Sequence, residues 1–273
     1  MSGDQIAFLD PHESYFQHRE GNRPARATSS YAFTLGCAAL QQIPHQFEPF
    51  KQRLFGCESL DILCYTGTVF RFPLRRDGSR SMLSHSVYGD EKMSQMLTML
   101  QSEAHALLLF LNSVESIEWY EKSSLHDAPR LMFAVKVDAS IAQVVRLNRA
   151  AFMDKIRPHI KRGEWKSEPE STTFEVVISA MQTLHGRRTE SQKAWLLTQH
   201  YHGGNSASKL KQIIMKGHSK LLPWVGIALP LHEGQVKDPQ GQLFCFLPLP
   251  VTEGSATGFH FHVNGYFAVS QNR

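Results

Sequence analysis

Apolar residues along this chain keep two rhythms, one of period two and one of three to four, and these alternate from front to back. Residues 1 to about 78 read as β-rich: 5–9 and 68–74 are short apolar and aromatic runs, and Val69-Phe70-Arg71-Phe72 has strand character. Between them, residues 21–36 are polar and irregular, and read as a surface excursion. Asp77-Gly78 marks a turn. A long helix is predicted next. Asp90 can cap it, and Met93, Met96, Leu97, Leu100, Ala104, Leu107, Leu108 and Leu111 recur every three or four residues. Such a stripe is ordinarily buried against a sheet; its methionines would also suit an adaptable groove, and core packing is the favoured reading.

After Asn112-Ser113 the rhythm returns to period two. Strands are expected over 117–120 and 131–137, facing each other across the polar loop 122–129. A second helix is expected over 139–162, with Ile141, Val144, Val145, Phe152, Ile156 and Ile160 on one side, and Pro158 kinking or ending it. Residues 174–181 and 193–201 alternate like strands joined by a turn at His185-Gly186-Arg187. A third helix over 206–217 would be closed by Gly217. Segments 224–231, 243–247 and 259–269 complete a largely antiparallel set. The class implied is α+β: mixed and antiparallel sheets with packed long helices, and no internal repeat.

At 273 residues the chain suits one large domain or two ordinary ones, and its 42% hydrophobic and 20% charged content is that of a globular protein. Its longest apolar block, 106–111, is far short of the ~18 residues a membrane helix needs, and the front lacks the basic-then-apolar pattern of a secretory signal. Four cysteines without paired spacing fit reduced thiols of a cytoplasmic protein better than a disulfide framework. The net charge of +4 is spread over short groups such as Arg75-Arg76 and Arg187-Arg188, without a nucleic-acid motif. No nucleic-acid or membrane partner is expected.

Four stretches carry a family resemblance: residues 2–12, Phe47-Glu48-Pro49-Phe50, Gly67-Thr68-Val69-Phe70-Arg71-Phe72-Pro73-Leu74-Arg75, and residues 241–273. Together they resemble the repeated region of the sacsin family, chaperone-like proteins whose repeats open with a GHKL-type ATP-binding domain, as in the ninety-kilodalton heat-shock chaperone. The resemblance implies the C-terminal part of a GHKL-type domain with a connecting helix over 1–112, and a middle-domain-like α+β segment over 113–273. On this reading the chain begins inside one domain and stops inside another. GHKL enzymes hold ATP with a helix bearing a catalytic carboxylate and a magnesium-binding Asn, an Asp-containing glycine turn, and a glycine-rich lid. The glycine clusters at Gly203-Gly204-Asn205 and over 254–258 match none of these.

The resemblance therefore implies no ATPase and no cofactor for this chain, with ATP and magnesium used by the longer parent. Two nucleotide contacts carry over. Gly67-Thr68 resembles the Gly-Thr pair whose hydroxyl bonds near the adenine, against the ordinary reading of a strand start. Arg273 falls where a middle-domain loop brings a cation to the γ-phosphate, against that of a frayed terminus. The partners implied are non-native client proteins and, through the parent, co-chaperones of the seventy-kilodalton heat-shock system. The work implied is protein quality control; a nucleotide-independent holdase or scaffold is the alternative.

Other motifs read more plainly. His200-Tyr201-His202 and His260-Phe261-His262 could each put two imidazoles on one strand face, as zinc pairs do, but no CxxC supplies further ligands. Strand histidines are the favoured reading, and no metal is expected. Residues 203–209 could cradle an anion at a helix start, yet the phosphate-loop spacing fails, so a capped strand-to-helix connection is favoured.

Overall fold

The computed structural model describes residues 1–9, 30–41, 64–72, 74, 86–124, 127–162, 168–184, 186–203, 212, 222–231, 241–249 and 256–266. The chain divides into two compact units, Met1–Gln95 with Lys122–Pro129, and Met96–Glu121 with Arg130–Arg273. The first holds strands β1 (Ser2–Gly3), β2 (Gln5–Leu9), β3 (Ser30–Thr34), the short helix α1 (Ala38–Gln41) and β4 (Tyr65–Thr68). They form an antiparallel sheet in the order β3-β2-β1-β4. Ile6, Leu35 and Leu40 are buried in its core, with Phe8, Phe33 and Tyr65 packed around them.

The strand expected over 68–74 ends early, at Thr68. Beyond it, Val69 still exchanges backbone hydrogen bonds with Met1. Phe70 and Phe72 then stand 75% and 77% exposed, stacked on each other.

The division of the chain falls inside α2 (Asp90–Ser102), which is followed by α3 (Ala104–Leu107). The single long helix predicted here is two. The Met99 carbonyl accepts both the Glu103 N–H and the Ser102 hydroxyl, and Glu103 takes a non-helical conformation. Leu108, Leu109 and Phe110 then enter the core as irregular chain. The predicted stripe is half realised: Leu97, Ala104, Leu107 and Leu108 are buried, while Met96 is exposed.

The second unit is built on β5 (Ser116–Glu121), β6 (Arg130–Val137), helix α4 (Ala142–Arg162), β7 (Glu170–Leu184), β8 (Arg187–Tyr201), β9 (Trp224–Pro230), β10 (Leu243–Cys245), β11 (Leu247–Pro248) and β12 (His262–Gly265). Its eight-stranded sheet runs β11-β10-β12-β9-β8-β7-β6-β5. Pairing is antiparallel except between β10 and β12, which run parallel, so the sheet is mixed. The α+β class with antiparallel and mixed sheets is what the residues specify.

Helix α4 starts later than predicted because Asp138, Ala139 and Ser140 form its entry turn, with Ser140 N–H donating to Asp138 Oδ1 at 3.0 Å. It runs on through Pro158, which sits in the last turns where one missing N–H costs little cooperativity. Strands β7 and β8 outrun the predicted 174–181 and 193–201, because the polar, exposed residues 187–193 continue the hairpin beyond the core. Gly186, with φ of 78°, makes the tight turn. The strand expected over 259–269 is short, His262–Gly265. The helix expected over 206–217 lies outside the described residues, Gln212 apart.

One sheet face is the core. Val135, Val176, Ile178, Leu197 and Phe244 pack there against Leu107–Phe110 and Val145, and Phe152 and Ile156 of α4 meet Tyr201 and Trp224 beside them. Each such side chain contributes about 1.5–3 kcal/mol by leaving water.

Candidate functional site

The face of the same sheet that points away from this core is the most distinctive surface of the second unit. Cross-strand partners share a face, and alternate residues along a strand switch faces. Leu196 lies opposite Leu229, Thr198 opposite Ile227, and His200 opposite Val225. Across the next seam Val263 lies opposite Ile227, and Leu243 opposite Val263. Leu196, Val225, Ile227, Leu229 and Leu231 are 36–42% exposed, and Leu247 is 47% exposed. Apolar side chains exposed together on a strand surface are what an interaction site would use.

Toward β5 this outer face turns polar. Glu118, Ala134, Met181 and Glu190 form one row across four strands, and Lys136, Ser179 and Gln192 the next. They line an open groove of about 590 Å³ with Asp138 at one end. Asp138 accepts from Ser140 N and Oγ at 3.0 and 2.6 Å, and from Ser179 Oγ and Gln192 Nε2 at 2.7 Å each. The Ser140 hydroxyl foremost, then the Ser140 amide and Ser179, hold its carboxyl down to about 2. It is a fixed anion pinning the β6–α4 turn, not a proton carrier.

Two polar groups reach the core: Arg149, which the sequence pattern did not single out, and His262, which it placed as a strand histidine. Arg149 is 2% exposed, on the buried stripe of α4 between Val145 and Phe152. Its Nη2 donates to the Leu108 carbonyl at 2.8 Å and the Leu109 carbonyl at 3.3 Å, while Nε and Nη1 have no partner. Burial pushes its guanidinium down to about 10. The signal was present in the sequence: positions 145, 149, 152 and 156 share a helical face, and one of them is cationic. His262 lies against the rings of Trp195 and Phe244 at 5.1 and 5.2 Å, and its Nδ1 accepts the Gln242 N–H at 3.1 Å. Burial, then the Lys193 charge, push it down to about 4.

The residues singled out for nucleotide are not gathered. Gly67 and Thr68 lie on β4 in the first unit; Gly67 has φ of 123° where the pairing with β1 is irregular, a conformation that favours glycine. The Thr68 hydroxyl is exposed and donates to Ser2 Oγ at 3.0 Å. Arg273 lies outside the described residues, as does all of 203–209 except Gly203. Of the histidine pairs, His200 and His202 stay neighbours and His260 and His262 part. His200 Nδ1 meets Ser171 Oγ at 2.7 Å, with the His202 ring 6.0 Å away, while His260 is exposed and His262 turns into the core. Among the described residues, no three His, Cys, Asp or Glu side chains gather as a metal site, and no helix is long and apolar enough to cross a membrane. Cys37, Cys64 and Cys245 are free thiols.

Comparison with known proteins places the sequence. Residues 1–134 match the family model of the Sacsin domain. The whole chain is 28% identical over 286 residues to human sacsin, covering 100% of the chain and 6% of that protein. The chain is thus similar to a region of sacsin, and it spans a small fraction of the relative it matches. No solved structure matches it.

Proposed function

We propose that this chain is part of a sacsin-like molecular chaperone in protein quality control, and that it binds non-native client proteins through the outer apolar face of β8, β9 and β12. The observation that carries this reading is the row Leu196, Val225, Ile227 and Leu229, exposed on a face whose other half is polar. Non-native chains expose apolar segments, and an open apolar sheet face can hold them without chemistry. In the longer parent, binding is coupled to ATP and magnesium, with the first unit the C-terminal part of a GHKL-type domain and the second a middle-domain-like segment. Gly67, Thr68 and Arg273 are its contributions there. The parent works in the cytoplasm and hands clients to co-chaperones of the seventy-kilodalton system. The chain alone is no ATPase.

A nucleotide-independent holdase is the second reading. It is favoured by the position of the apolar face in the unit that does not contain Gly67 and Thr68. Light scattering from a thermolabile reporter enzyme tests both. The chain is expected to suppress its aggregation, and Ile227→Lys with Leu229→Lys to abolish the effect while leaving circular dichroism unchanged. If the double variant protects the reporter fully, the face is not the client site. For the isolated chain suppression is expected to be the same with and without ATP; in the parent, ATP dependence separates the two readings.

A further inference from the structure

The segment between α3 and β5 ends on a carboxylate, Glu115, whose charge acts on two arginines of one helix. Arg146 and Arg149 stand one turn apart on α4. Arg146 Nε and Nη2 donate to Glu115 Oε1 and Oε2 at 2.7 and 2.6 Å, on exposed surface. Arg149 is buried beneath, holding the Leu108 and Leu109 carbonyls with Nη2 alone. Its Nε and Nη1 are orphaned, and so is the buried Oδ1 of Asn112 in the same connecting segment. The field of Glu115 favours the charged form of Arg149 even from its present place.

Magnitudes rank these interactions. An exposed ion pair restrains little. A buried guanidinium lacking acceptors is costly, and a carboxylate is the acceptor that suits it best. The present arrangement therefore leaves the stronger demand unmet and satisfies the weaker one. We propose that residues 108–115 form a two-position latch. In the position seen, Glu115 pairs with Arg146 while Arg149 grips the Leu108 and Leu109 carbonyls. In the other, Glu115 turns to the free Arg149 donors, and the connecting segment moves with it and loosens its grip on the core. The surface arginine is the control point: a ligand or partner carboxylate that occupies Arg146 frees Glu115 and drives the exchange. The element it governs carries α3 into the sheet's core, so the latch sets how firmly α3 is held there.

Amide hydrogen exchange on the full chain separates the latch from an ordinary surface ion pair. The Leu107 and Leu109 amides, bonded to the Glu103 and Ala106 carbonyls, are the reporters, and Leu197 in β8 is the control. In Arg146→Gln both reporters are expected to exchange about tenfold faster or more, with Leu197 unchanged. In Glu115→Gln, and in the double variant, they are expected to keep the wild-type rate. A plain ion pair predicts the same small effect for either single change. Equal rates in the two single variants overturn the proposal, as does an unchanged Arg146→Gln protein or one whose Leu197 accelerates equally.

Discussion

Replacing Gly241 by alanine is expected to destabilise the second unit by about 3 kcal/mol or more, among the largest effects of any single methyl group in the chain. Gly241 is buried, and a Cβ there would overlap the Phe261 carbonyl and come within 2.5 Å of Thr257 Oγ1. The first obstacle is backbone and cannot rotate aside. The Gly241 backbone itself is held on both sides, its N–H donating to Phe259 at 2.7 Å and its carbonyl accepting from Thr257 at 2.8 Å. The next residue, Gln242, gives its N–H to His262 and its Nε2 to the Leu249 carbonyl at 2.7 Å. A displaced Gly241 therefore disturbs the corner that joins β10 to β12. Urea midpoints measure the effect, with Gly89→Ala as control because a Cβ there meets nothing within 4 Å. A Gly241→Ala protein as stable as wild type would refute this packing.

The second large effect is acid destabilisation through His262. Its folded-state value, about 4, lies below the roughly 6.5 of an unfolded histidine, so the unfolded chain takes up the proton first. The stability it contributes is complete above that unfolded value and is lost as pH falls toward 4. Integrated over that window the loss is about 3 kcal/mol. His105, lowered first by burial and then by Lys193, adds to it in the same direction. Glu103, whose carboxyl burial raises, opposes it weakly. Proton uptake on His262 Nδ1 would also set an N–H against the Gln242 N–H. Unfolding midpoints taken across this range should fall steeply in wild type and much less in His262→Gln. Parallel curves for the two proteins would place the acid sensitivity elsewhere.

Much of this architecture was legible in the sequence where period and turn chemistry agreed. The pairing of β5 with β6, the β7–β8 hairpin with its Gly186 turn, and the strand character of β9 all follow from period-two patterns. What stayed hidden depended on contacts distant in sequence. The break at Glu103 is a local change of backbone conformation, which the apolar stripe does not register. The parallel seam between β10 and β12 depends on Gln242 and His262 meeting across 20 residues. The outer apolar face was written in the alternation of Leu196, Val225, Ile227 and Leu229. Until register was known, those residues could not be told from the core on the opposite face. The family resemblance, carried by short motifs, was sound, and the comparisons extend it over the whole chain.

The most direct test of client binding puts a photoreactive phenylalanine analogue at Ile227 on the apolar face and, separately, at Glu190 in the polar groove of the same sheet. Each protein is illuminated with an unfolded reporter enzyme in the absence of ATP. Crosslinking at position 227 and not at 190 is the predicted result. No crosslink at 227, or equal yields at the two positions, would contradict the assignment of that face to non-native chains.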